Sequence, residues 1–111
     1  MKTDLVQSKV TVVQPQGHLN ASNAADFQDR LTNAVFSPEN SILLVDMEKV
    51  ESLDSAGLMA LVSALRLSRD LNQRFGLCGI LPSIKIMFEL TQLDRAFEIF
   101  ENRAAFQSAL C

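Results

Sequence analysis

Four consecutive apolar residues, Ile42-Leu43-Leu44-Val45, run straight into Asp46 without polar alternation. A strand that alternates leaves one face to water, whereas a continuous apolar run of strand length must be covered on both faces. That requires helices on both sides of a sheet, and so a chain in which strands and helices alternate. Upstream, Val6 to Gln14 reads as a β-branched strand ended by Pro15, and a few residues around Leu5 are candidates for a preceding edge strand. Gly17-His18-Leu19-Asn20 reads as a turn into a helix, with Asn20 and Ser22 as candidate N-caps and Ala24, Phe27, Leu31, Ala34 and Val35 at helical spacing. Ser37-Pro38-Glu39-Asn40 breaks that helix and makes a loop.

Downstream, Val50 to Leu53 leads into Asp54-Ser55-Ala56-Gly57. There Leu58, Leu61, Val62 and Leu65 set the spacing of a helix from Ser55 to about Leu71. Phe75 to Ile80 is a strand with two glycines, Pro82 suits a first helical position, and Ile84, Met87 and Phe88 continue a short helix. Leu93-Asp94 is a turn, Phe97 and Ile99 alternate in a short edge strand, and Asn102 to Leu110 is a closing helix. The fold class is therefore α/β: one domain over residues 1–111, with a mixed, mostly parallel sheet of about four or five strands and about four helices.

Composition excludes several functions. With 48% apolar and 21% charged residues the chain is globular, not disordered. Ten Lys and Arg against thirteen Asp and Glu give a net charge of −3, which offers no electrostatic basis for direct nucleic-acid binding. The longest apolar run is Leu58 to Val62, too short for membrane insertion, and no apolar stretch follows Met1-Lys2-Thr3-Asp4 to make a secretory signal. A cytoplasmic location is expected. Two cysteines, Cys78 in an apolar segment and Cys111 at the last position, with His18 as the only histidine, are too few for a metal site. Cys78 reads as a small core hydrophobe.

Catalysis finds little support. Leu53-Asp54-Ser55-Ala56-Gly57 lacks the first glycine of a nucleophile elbow, and any triad would depend on His18, which reads as a surface turn residue. Gly17, Gly57, Gly76 and Gly79 have no phosphate-loop spacing, so no nucleotide cofactor is implied. Asp46 with Glu48, and Glu98 with Glu101, read as solvated strand or loop ends. What remains is Ser55 beside Asp54 at a helix start, where either residue can cap the helix and where exposed N–H groups can carry an anion.

Those residues carry a resemblance. Leu43 to Asp46, Val50 to Leu53 and Asp54-Ser55-Ala56-Gly57-Leu58 together resemble the central signature of STAS domains, most closely the stand-alone anti-sigma factor antagonists of bacterial partner-switching systems. Gly17-His18-Leu19-Asn20 is similar to the family's Gly-x-Leu-Asp turn, Pro82-Ser83-Ile84 with Met87-Phe88 to its third helix, and Leu93-Asp94 with Phe97 to Ile99 to its end. Residues 5 to 110 are covered. The resemblance implies that the unphosphorylated chain binds an ATP-dependent anti-sigma factor serine kinase, is released when that kinase phosphorylates Ser55, and is reset by a serine phosphatase. It implies a binding module and kinase substrate, not an enzyme; the acidic composition and the lack of long apolar runs fit a monomer, and no cofactor or metal is implied.

Asn20, Ser22, Asp54, Ala56, Gly57 and Met59 are the candidate partner-binding residues. Three of them depart from the family. Ala56 stands where many members carry a second hydroxyl, Asn20 replaces the usual aspartate near the kinase contact, and Met59 replaces a small residue. Met59 projects from the helix with Ser63, Arg66 and Asp70, as a partner contact or as a side chain covered by a neighbouring loop. A STAS scaffold or accessory subunit of another signalling or lipid-transport complex, with Ser55 unphosphorylated, is the alternative. A small-ligand or nucleotide sensor is a third, with no loop here to cradle a phosphate.

Overall fold

A computed structural model describes residues 10–36 and 42–110. The candidate strand near Leu5 and the loop at Ser37 to Asn40 lie outside the described residues. The elements are β1 (Val10–Val13), β2 (Gly17–Leu19), α1 (Ala24–Val35), β3 (Ile42–Asp46), β4 (Val50–Leu53), α2 (Ser55–Asp70), β5 (Arg74–Cys78), α3 (Pro82–Leu90), a 3-10 turn (Leu93–Arg95), β6 (Glu98–Phe100) and α4 (Arg103–Leu110). Among the described residues the main sheet has the order β1-β3-β5-β6, with every pairing parallel, and β2 and β4 form a separate parallel pair.

All five residues of β3 are buried, and their alternation divides them between two layers. Leu43 and Val45 face the larger core, with Phe27, Leu31 and Val35 of α1, Leu58, Leu61 and Leu65 of α2, and Ile84 and Phe88 of α3. Ile42 and Leu44 face the other side, where Cys78 and Phe106 complete a smaller core. That second face is covered by α4, and Gly76 makes the cover possible. A Cβ at Gly76 would stand 2.9 Å from Phe106 Cε1, so only a bare backbone lets that ring lie on the sheet. Phe100 meets Phe106 edge-on, with ring centroids 5.1 Å apart. Burial pushes the Cys78 thiol up to about 11, in keeping with a core side chain.

Three local expectations change. Gly17 to Leu19 is a strand, not a turn: Gly17 N–H donates to Lys49 O at 2.9 Å and His18 pairs with Ser52 on β4. The residue before α1 is Asn23, so neither Asn20 nor Ser22 caps that helix directly. Asp46 is not a solvated strand end. It is 3% exposed and accepts from Arg103 Nε at 2.6 Å, Glu48 N–H at 3.0 Å and Gln14 Nε2 at 3.3 Å, which fastens the start of α4 to the end of β3. Glu98 is exposed but forked onto Arg74, with both contacts at 2.8 Å.

Candidate functional site

The two-stranded sheet exists to bring two loops together. β2 and β4 run parallel, so the residues that follow them, 20–23 and 54–57, leave the sheet side by side. Asp54 N–H donates to Leu19 O at 3.0 Å and closes the ladder at its last rung. From there the chain turns into α2, because Asp54 is its N-cap in an extended conformation and accepts through Oδ1 from Gly57 N–H at 3.0 Å.

Gly57 is buried under this turn. A Cβ there would lie 2.6 Å from Leu53 Cδ1 and 3.0 Å from both Cβ and O of Leu19. The missing side chain lets the first turn of α2 settle directly on β2 and β4. Ser55 is exposed as the first residue of α2, and its side chain makes no hydrogen bond among the described residues. Ala56 is half-buried beside it.

Across from Asp54, residues 20–23 form a turn held by its own side chains. Asn20 Oδ1 accepts from Ser22 N–H at 3.0 Å and from Ser22 Oγ–H at 2.6 Å. Asn23 Oδ1 accepts from Asn20 N–H at 2.9 Å, and Asn23 Nδ2 donates to His18 O at 2.7 Å. The second oxygen of Asp54 reaches over to accept from Ala21 N–H at 3.2 Å. One carboxylate thus serves both loops. At Asn20 the working atom is a carbonyl oxygen that an aspartate would also supply, so asparagine keeps the turn and removes a charge.

The structure places Asn20, Ser22, Asp54 and Gly57 around one junction, with Ser55 next to it. Met59 lies one helical turn further along α2 and is 53% exposed, uncovered by any described loop. Asn23 and the pair His18 Nδ1 and Ser52 Oγ, 2.6 Å apart, were not singled out from sequence. Asn23 was findable: an Asx residue three positions after another, before an apolar helix, signals a local side-chain turn. The His18–Ser52 contact depends on a strand pairing that spans 34 residues and has no local signal.

Among the described residues no cluster of three or more His, Cys, Asp or Glu side chains is placed to hold a metal. No helix among them is long and apolar enough to cross a membrane.

Residues 3–105 match the model of the STAS domain family. BtrV of Bordetella bronchiseptica, assigned as an anti-sigma factor antagonist, is 27% identical over 99 residues, which cover 86% of this chain and 84% of BtrV. The crystal structure of tm1081 from Thermotoga maritima, assigned likewise, superposes with a TM-score of 0.84 at 22% identity over 91% of this chain and 86% of that one. The phosphorylated form of the Bacillus cell fate determinant SpoIIAA does so with a TM-score of 0.70 at 16% identity over 94% of each chain. The match along nearly the whole length makes this chain a member of the STAS domain family.

Proposed function

We propose that this chain is an anti-sigma factor antagonist in a bacterial partner switch. Unphosphorylated, it binds an anti-sigma factor serine kinase through the surface around Asn20, Ser22, Asp54, Ala56 and Met59, while Gly57, expected from sequence to touch the partner, is buried and instead seats α2 beneath that surface. The kinase transfers the γ-phosphoryl group of ATP to Ser55 Oγ, the hydroxyl proton leaves and ADP is released. A serine phosphatase hydrolyses the ester and restores the binding form. The chain is a cytoplasmic binding module and substrate, with no catalytic role of its own.

The observation that carries this reading is the setting of Ser55: exposed, first in its helix, without a side-chain hydrogen bond among the described residues, and adjacent to a carboxylate. A phosphate there adds about −1.5 to −2 charges. It needs no rearrangement of the core, because nothing is packed over the hydroxyl. In an interface beside Asp54 the like charges repel, and a loss of about 3 kcal/mol already weakens binding about a hundredfold. The antagonist assignment of BtrV and the phosphorylated structure of SpoIIAA support the reading by similarity.

Affinity capture from native lysate with wild-type, Ser55→Ala and Ser55→Asp baits tests it, with the phosphosite mapped on the endogenous protein. A serine kinase held by the alanine bait and lost from the aspartate bait is the expected result. Equal recovery by all three baits with unmodified Ser55 would leave a constitutive scaffold.

A further inference from the structure

We infer that Asp54 relays the state of Ser55 to the turn that carries Asn20 and Ser22. The inference rests on Ser55 being the modified residue of this surface. Its structural basis is the division of one carboxylate between two elements. Oδ1 holds Gly57 N–H of α2 at 3.0 Å, and Oδ2 holds Ala21 N–H at 3.2 Å. Ala21 is exposed, and its N–H has no other acceptor among the described residues. The side-chain bonds of Asn20, Ser22 and Asn23 all close within residues 18–23, and backbone bonds from Ala24 N–H to Asn20 O at 2.8 Å and from Phe27 N–H to Asn23 O at 3.0 Å run the turn on into α1. The turn therefore belongs to α1, and among the described residues the side-chain tie between it and α2 is the second oxygen of Asp54.

A phosphate on Ser55 competes for the same ground. The unpaired N–H groups of the first turn of α2 attract it, and its charge repels the neighbouring carboxylate. Of the two bonds Asp54 can surrender, the one to Gly57 is local and shorter. The one to Ala21 crosses between elements and joins an exposed turn, whereas the one to Gly57 caps a buried helix start, so the Ala21 bond is the one that breaks. The backbone bond from Asp54 N–H to Leu19 O stays, which confines the change to residues 20–23. Phosphorylation then does two things to a docked partner: it adds charge at Ser55 and it frees the turn that presents Asn20 and Ser22.

The test is a two-by-two comparison on the isolated full chain: wild type and Asp54→Asn, each with serine or phosphoserine incorporated at position 55. Amide hydrogen exchange is read residue by residue. In Asp54→Asn the remaining acceptor oxygen caps Gly57, so Gly57 stays protected while Ala21 exchanges about tenfold faster, the scale of one lost hydrogen bond. Phosphoserine in the wild type produces the same acceleration at Ala21, with α1 and α2 interior amides unchanged. In Asp54→Asn the phosphate adds nothing further at Ala21, because the relay is already cut.

Unchanged Ala21 exchange in the phosphorylated wild type overturns the inference. So does an equal further acceleration by phosphate in Asp54→Asn, which would mean that the turn responds without Asp54. Because the phosphate is installed chemically and no partner is present, the outcome is independent of lysate capture. A protein never phosphorylated in cells would fail the proposed function and leave this coupling measurable.

Discussion

At Gly57 a single methyl group decides how α2 meets the sheet. Its nearest neighbours would be Leu53 Cδ1 at 2.6 Å and the Cβ and carbonyl oxygen of Leu19 at 3.0 Å. The leucine tip can rotate away, but the Leu19 backbone cannot. Gly57→Ala is expected to cost about 1–3 kcal/mol, the range for overpacking a filled site, seen as a lower midpoint in urea with an unchanged slope. A midpoint equal to wild type would show that the junction is looser than these distances state. Ser68 makes the opposite case on the same helix. It is fully buried and its hydroxyl has no hydrogen-bond partner among the described residues. Ser68→Ala removes an unsatisfied group and improves helix propensity, so stability should rise by about 0.5–1 kcal/mol. A clear loss in thermal unfolding would mean that the hydroxyl is bonded in solution.

At the scale of elements, α4 is fastened by Phe106 on the bare backbone of Gly76 and by Arg103 on buried Asp46. Burial pushes the Asp46 carboxyl up, but the hydrogen bond and charge of Arg103, the Glu48 N–H and the Gln14 amide together hold it below its ordinary value of 3.8. A carboxyl lowered by folding stabilises the native state fully above the unfolded range near pH 4, and that stability is lost as the pH falls through the folded value. Glu98 is also lowered, by the Arg74 hydrogen bond, but it is exposed and contributes less. Arg103→Met should therefore be less stable than wild type at pH 7, with the gap narrowing as the pH falls below about 4 towards the lowered folded value of Asp46 and closing once the carboxyl is neutral in both. Urea midpoints between pH 3 and 7 read this directly. A gap independent of pH would assign the loss to packing by the arginine stem.

These same elements show what the sequence makes legible. β3 and α2 are plain because their signals are local: an unbroken apolar run, and apolar side chains that recur at helical spacing. Ser55, Asp54 and Gly57 fall at the helix start, where capping chemistry places them. β2 was hidden because three residues carry no period, and its partner is far along the chain. Asp46 was misread as solvated because Arg103, 57 residues away, supplies its counter-charge. Long-range pairing of short segments leaves no mark in a local window.

For the whole molecule, a phosphate at Ser55 would be separable from folding. The net charge of −3 becomes about −5 on phosphorylation, yet the added group sits on an exposed helix start outside both cores. Phosphoserine at 55 is expected to leave the far-ultraviolet circular dichroism unchanged and the thermal midpoint within a few degrees, while affinity for the kinase falls a hundredfold or more. A domain that melts much earlier when phosphorylated would point to release by unfolding.

That separation begins in α2, which has two faces with different obligations. Leu58, Ala60, Leu61, Ala64, Leu65 and Ser68 are committed to the interior, while Ser55, Met59 and Arg66 face outward. Substitutions on the outer face are nearly free in stability, whereas those on the inner face are not. Residues such as Met59 and Arg66 can therefore be exchanged, and the surface that α2 presents re-specified, without any change to the fold.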